Sequence, residues 1–241
     1  MQEEIIKEFK LLQKDIIARL EELDGQQKFH FDAWERQEGG GGLTATIRNG
    51  DLIEKGGVNF SHVFGKAPMM ILKEHDLESG DFLATGVSIV LHPVNPWVPI
   101  IHMNVRYFQI DDKVWWFGGG IDLTPHYIVK EHSKNFHQHL KEACDKHHPD
   151  FYPRFKKWAD DYFYIPHRNE TRGVGGIFFD RLNEQNFGID LSKSFDFVME
   201  TGNKFIPAYT YQVSKNRNKS FGEKELSWQK IRRGRYVEFN L

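Results

Sequence analysis

Three prolines within one short segment constrain this chain most. The stretch His92-Pro93-Val94-Asn95-Pro96-Trp97-Val98-Pro99 cannot continue a sheet ladder, because each proline lacks the backbone donor the ladder needs. On either side of it the side chains alternate with the period of a strand. Before it, Val87, Ile89 and Leu91 share one side while Ser88, Val90 and His92 share the other. After it, Ile101, Met103, Val105 and Tyr107 alternate with His102, Asn104, Arg106 and Phe108. Two strands around so short a connection predict an antiparallel pair. If the loop reverses the chain, Ser88 and His92 fall on the same face as His102, because their positions share parity. Two neighbouring strands then build one polar pocket.

The rest of the chain mixes strands and helices without a regular βαβ rhythm. Ile5, Phe9, Leu12, Ile16, Leu20 and Leu23 recur at helical spacing and Gly25 supplies a stop. The four glycines at 39–42 predict a loop. A third strand runs over Val114-Trp115-Trp116-Phe117 and is expected to end at Gly118-Gly119-Gly120. Thr124-Pro125 fits a helix start. Apolar stripes at Phe136, Leu140, Cys144 and at Phe151, Phe155, Trp158, Tyr162 mark two further helices. Residues 175–180 read as a strand, helical patterns follow at about 192–206, 207–219 and 223–233, and Gly234 is placed to end the last. The alternation of 235–241 predicts a closing strand. The fold class that follows is α+β.

The chain has 241 residues, of which 20 are Phe, 8 Tyr and 6 Trp, enough for a large aromatic core in a single domain. A net charge of -2 supplies no global field toward nucleic acid or an anionic membrane. The basic cluster Lys230, Arg232, Arg233, Arg235 reads as a solvated helix end. Cys144 is the lone cysteine, which excludes an internal disulfide and any cluster held by several thiolates of this chain. The acidic start Met1-Gln2-Glu3-Glu4 lacks the features of a signal peptide. No apolar run approaches the roughly 20 residues of a membrane span. A cytoplasmic protein without a transmembrane segment is expected.

His102, Asn104 and Arg106 are the candidate chemistry. Solvated strand faces usually carry Lys, Glu and Thr, so this trio between apolar neighbours suits anion binding better. Arg106 can hold a carboxylate through two parallel hydrogen bonds. Asn104 adds a donor or acceptor beside it, and His102 is the natural proton carrier near neutral pH. Asp122 follows three glycines and reads either as a cap or as a carboxylate facing a ligand. His137 and His167 are further metal or acid–base candidates, although the spacing of His92, His102, His137 and His167 matches no short metal motif. His132, His139, His147 and His148 look solvated.

Seven strings, in order along nearly the whole chain, resemble the oxygen-dependent coproporphyrinogen-III oxidases. They are Trp-Glu-Arg-Gln-Glu-Gly-Gly-Gly-Gly (34–42), His-Met-Asn-Val-Arg-Tyr-Phe (102–108), Trp-Trp-Phe-Gly-Gly-Gly-Ile-Asp-Leu-Thr-Pro (115–125) and Tyr-Pro-Arg-Phe-Lys-Lys-Trp (152–158). His-Arg-Asn-Glu (167–170), Arg-Gly-Val-Gly-Gly-Ile-Phe-Phe-Asp (172–180) and Arg-Arg-Gly-Arg-Tyr-Val-Glu-Phe-Asn-Leu (232–241) complete the set. The resemblance implies a flat antiparallel sheet flanked by helices on both faces, a homodimer and no organic cofactor. It implies oxidative decarboxylation of two propionates of coproporphyrinogen III to vinyl groups, giving protoporphyrinogen IX in haem biosynthesis. Dioxygen is the oxidant, and carbon dioxide and hydrogen peroxide leave. By the same match His102 is the expected proton donor, and Ser88, Asn104, Val105 and Arg106 are the expected substrate contacts. The chemistry of that substrate adds Arg106, to neutralise and fix a propionate, and Asp122, to accept pyrrole N–H bonds, as catalytic residues beside His102. His92, His102, His137 and His167 correspond to the histidines assigned to a divalent metal in bacterial members. Family members continue past the last string into a further strand, a Gly-Gly-Arg contact and a dimerisation helix. The expectation is therefore one domain, 1–241, truncated at the C-terminus relative to the family.

Three other readings stay open on sequence. A tetrapyrrole-binding protein without catalysis would use Arg106 and Asp122 only to hold ligand. A histidine-ligated iron oxygenase would need a two-His-one-carboxylate site, for which there is no local signature. An inactive remnant of the family would fold without turning over.

Overall fold

The computed structural model describes residues 1–240. In chain order its elements begin with α1 (Gln2–Asp24), β1 (His30–Glu35), β2 (Gly40–Arg48), β3 (Ile53–Lys66) and α2 (Met69–Glu74). Then come β4 (Asp81–Pro93), β5 (Ile100–Ile110), β6 (Val114–Thr124), α3 (Lys130–Asp145) and α4 (Phe151–Tyr162). A small hairpin, β7 (Tyr164–Ile165) and β8 (Glu170–Thr171), brackets a single 3-10 turn. The chain closes with β9 (Gly176–Leu182), α5 (Glu184–Phe187), α6 (Leu191–Asn203), α7 (Phe205–Asn216) and α8 (Glu223–Glu238).

Seven strands form one antiparallel sheet in the order β1-β2-β3-β4-β5-β6-β9. The proline segment reverses the chain between β4 and β5 as the alternation requires, and Asn95 pins the turn by donating to the carbonyls of Arg217 and Lys219 at 3.0 and 2.8 Å.

The two faces of the sheet have different fates, set by parity. Val87, Ile89, Leu91, Met103, Val105, Ile121 and Phe179 point to one face and are 0–1% exposed. The apolar stripe of α1 (Ile5, Phe9, Leu12, Ile16, Leu20) and the aromatic faces of α4 and α6 close over them in one core. Phe155, for example, lies 5.3 Å from Phe179 and 5.7 Å from Phe197, ring centre to ring centre. The opposite face is flanked at its ends only. At one end α2 buries Leu72 against Ile110, with Phe82 and Phe108 packed around them. At the other, α8 sets Tyr236 edge-on to His92 and donates from Gln229 to the carbonyl of Pro93 at 3.1 Å. Between the two ends the polar side chains stand open.

Six local expectations are corrected. The glycines at 39–42 are a loop only at Gly39: Gly40–Gly42 pair in β2, where the Trp34 indole of β1 lies over the strand. A Cβ at Gly42 would fall 2.6 Å from Trp34 Cζ2, so close approach of the ring, not a loop, calls for glycine there. The third strand does not stop at Gly118 but runs on to Thr124, and the following helix starts at Lys130 rather than at Pro125. The helix of 223–233 passes through Gly234 to Glu238, so the strand expected over 235–241 is helical as far as the helix reaches, while Leu241 lies outside the described residues. Tertiary contacts hold that last turn: Tyr236 is buried, and Arg168 forks onto both oxygens of Glu238 at 2.6 and 2.7 Å. The basic cluster is likewise no solvated helix end, because Arg232 and Arg235 bind Glu170 while Arg233 binds Glu54 and the carbonyl of Pro93. His132, His139, His147 and His148 are half-buried rather than solvated.

Candidate active site

Register assembles the site. Ser88 pairs with Asn104, Val90 with His102 and Gly86 with Arg106 across β4 and β5, while His102 pairs with Asp122 and Arg106 with Gly118 across β5 and β6. Paired residues share a face, so Ser88, Asn104, His102, Arg106 and Asp122 stand together on the open side. His92 lies on the same face at its α8 end. A cleft of about 430 Å³ lies over this face, lined by Asn59, Ser88, Asn104, Arg106, Trp116 and Asp180 among others. The stacked rings of Phe108 and Trp116, 4.2 Å apart, wall it on the α2 side.

Beside the cleft runs a chain of three groups. Asp122 is 2% exposed and its Oδ1 accepts from both His102 Nδ1 at 2.9 Å and Arg172 Nη2 at 2.7 Å. Burial alone pushes the Asp122 carboxyl up, but the Arg172 guanidinium and the bond from His102 outweigh it and hold the acid below its ordinary value. An ionised carboxylate only accepts, so Nδ1 of His102 must carry the proton and donate it. That leaves Nε2 of a half-exposed imidazole as the nitrogen available to a ligand. Arg172 is itself buried, with its guanidinium 4.0 Å from the Phe163 ring centre, 4.6 Å from Tyr236 and 4.7 Å from Phe239. Among the described residues no hydrogen bond is made to Asp122 Oδ2.

Arg106 is held by two acceptors. Nη1 donates to Asn104 Oδ1 at 3.2 Å and Nη2 to Asp180 Oδ1 at 3.0 Å. The guanidinium crosses β6 to reach Asp180 on β9, passing directly over Gly118. A Cβ there would lie 2.6 Å from Asp180 Oδ1 and 2.7 Å from Arg106 Nε, so the pair as it stands occupies the space the glycine leaves. The side chains of Arg106 and Asp180 remain 41% and 34% exposed, within reach of a ligand in the cleft.

Other expected residues are not brought to this cluster. The Val105 side chain points into the helix-packed core and is 0% exposed, so only its backbone faces a ligand. The four histidines meant for a metal do not converge: His102 gives Nδ1 to Asp122, and the Nδ1 of His92 is buried without a hydrogen-bond partner among the described residues. His137 donates Nε2–H to the Val174 carbonyl at 2.9 Å and accepts from Tyr152 at Nδ1 at 3.1 Å. His167 binds Glu238 at 3.0 Å, and His92 lies against Tyr236. Burial first, then Arg233 and Lys55, push the His92 imidazole down to about 4. Among the described residues, no three His, Cys, Asp or Glu side chains gather as a metal site. The donor set therefore does not fit the implied divalent ion, and no catalytic role is routed through one.

Sequence reasoning missed Arg172 and Asp180. Both lie in the Arg-Gly-Val-Gly-Gly-Ile-Phe-Phe-Asp string, and Asp180 has the parity of Gly176 and Phe178, which pair with Asp122 and Gly120 on the open face. Their partners are 50 and 74 residues away in sequence, so nothing local points to them.

Fold and site define an α+β domain that displays a cation, an acid-held imidazole and amide donors on one open sheet face. The chain belongs to the coproporphyrinogen III oxidase family, whose model matches residues 4–241. Over 227 residues it is 51% identical to a Drosophila melanogaster protein named oxygen-dependent coproporphyrinogen-III oxidase, covering 89% of this chain. The match spans 57% of that relative's length. No described helix is long and apolar enough to cross a membrane.

Proposed function

We propose that this chain carries the oxidative decarboxylation named in its relative: conversion of two propionates of coproporphyrinogen III to vinyl groups, with dioxygen as electron acceptor. The observation that carries this reading is the open face on which Asn104 and Arg106 stand two and four positions from an imidazole locked by a buried carboxylate. For each propionate the balance is one R–CH2CH2COO⁻, one dioxygen and one proton giving R–CH=CH2, carbon dioxide and hydrogen peroxide. The carbon–carboxylate bond and one β-carbon–hydrogen bond break, and their two electrons pass to dioxygen.

In this reading Arg106 takes a propionate through two parallel bonds and Asn104 steadies it from the side. Ser88, which pairs with Asn104, adds a hydroxyl to the same rim. His102 exchanges a proton through Nε2, because Asp122 occupies Nδ1. Asp122 offers Oδ2 to a pyrrole N–H, and its charge stabilises positive charge that develops on the ring as electrons leave. A cytoplasmic homodimer working without an organic cofactor is the assembly the family resemblance supports.

The test is incubation of the purified chain with coproporphyrinogen III in air and under nitrogen, followed by chromatography of the oxidised porphyrins. Protoporphyrin formed only in air supports the reading. Substrate bound without any product in air would mark a tetrapyrrole-binding protein or an inactive remnant instead.

A further inference from the structure

We propose that Asp180 is a second substrate carboxylate of this site: it masks Arg106 through their ion pair, and on substrate binding trades that guanidinium for pyrrole N–H groups. The inference rests on the substrate class proposed above and adds a residue to it.

Three observations carry it. First, Arg106 is not free but paired with Asp180 at 3.0 Å, so a propionate must either displace Asp180 or share the guanidinium with it. Second, Asp180 is the accessible acid. It lines the cleft with its side chain 34% exposed, whereas the side chain of Asp122 is 3% exposed and its Oδ1 already serves two donors. Third, the two side chains meet across β6 in the space that Gly118 leaves, where a Cβ would sit within 3 Å of both and make them shift.

The charges then balance through binding. An incoming propionate neutralises Arg106, which would leave Asp180 without its cation in a partly desolvated cleft. A substrate that brings N–H donors beside its carboxylates supplies the replacement, because an ionised acid accepts from them. A carboxylate ligand lacking N–H groups offers Asp180 nothing and meets it as a like charge. Asp180 thus selects pyrrolic acids over plain ones.

Two probes separate this role from simple masking. Under nitrogen, where no turnover occurs, the wild-type chain and Asp180→Asn are titrated with coproporphyrinogen III and with butane-1,2,3,4-tetracarboxylate, which has four carboxylates and no N–H group. Asparagine keeps the shape and one acceptor but removes the charge, and unchanged circular dichroism confirms the fold. The expected result is opposite shifts: about tenfold weaker binding of coproporphyrinogen, the scale of one charge-assisted bond, and several-fold tighter binding of the tetracarboxylate. Tighter binding of both probes means that Asp180 only masks Arg106 and overturns the proposal, as does no change in either. If the wild type binds the tetracarboxylate but no coproporphyrinogen, the proposed function itself fails and this role falls with it.

Discussion

Removing the Asp122 carboxylate strands a buried cation. In Asp122→Ala, Arg172 keeps its place among Phe163, Tyr236 and Phe239 with its side chain 5% exposed, but loses the oxygen 2.7 Å away. Breaking a buried pair from one side costs about 3–5 kcal/mol. The three aromatic faces offset part of this, by about 1–2 kcal/mol for a desolvated cation, so we expect a loss near the lower bound of that range. At roughly 2–4 °C per kcal/mol for a chain of this size, the midpoint of thermal unfolding falls by about 6–12 °C. Urea unfolding at pH 7 is the assay. The double variant Asp122→Ala, Arg172→Met should recover much of the loss, because no charge is then left unpaired. The pH dependence has a definite sign. The Asp122 carboxyl titrates below its ordinary value in the folded chain, so its contribution is full above the unfolded value and fades as pH falls through the folded one. The gap between wild type and Asp122→Ala should therefore close in acid. A single variant within about 0.5 kcal/mol of wild type, the size of an ordinary surface change, would refute the buried-pair reasoning. So would a double variant no more stable than the single.

Three more outcomes follow from the same geometry. Arg106→Lys should lower turnover at least tenfold while leaving stability unchanged, since an ammonium cannot make two parallel bonds and the side chain is half exposed; steady-state kinetics beside urea melts check this. His92 and His126 are both held neutral, each pushed down to about 4 chiefly by burial; stability should be full above pH 6.5 and decline as pH falls from 6.5 toward 4, and the double change to Gln should flatten that slope in urea midpoints. Phe155→Ala, in a ring cluster with Phe151, Phe179, Phe187 and Phe197, should cost about 3–5 kcal/mol through its cavity, measured by urea unfolding, without altering Km.

Parity makes the active face legible from residue order alone. One proline-rich reversal sets β4 against β5, and the shared parity of Ser88, His92, His102, Asn104 and Arg106 then puts them on one side. The helix over 2–24 is equally plain from its stripe and its glycine stop. What stays hidden is long-range. Asp122 reads as a cap or as a ligand contact, because its meaning comes from Arg172 fifty positions later. Glycines mislead wherever close packing, not chain reversal, requires them: at Gly42 under Trp34, at Gly118 under Arg106, and along the rest of the glycine run in β6. Gly234 signals a stop that α8 ignores, since a Cβ there would meet nothing and the contacts of Tyr236 and Glu238 carry the helix onward. The histidines are the converse case: a family pattern groups four that, among the described residues, do not gather into one metal site.

Arg106 and the Asp122-held His102 are proposed to turn substrate over on the open sheet face. The most direct test is carbon dioxide release from carboxyl-labelled coproporphyrinogen III in air, by the wild-type chain and by Arg106→Ala and His102→Gln variants with unchanged circular dichroism. The expected result is oxygen-dependent release by the wild type and a fall of at least a hundredfold in each variant, the scale of losing a positioned acid–base or orienting group. Folded variants releasing carbon dioxide at the wild-type rate would contradict it.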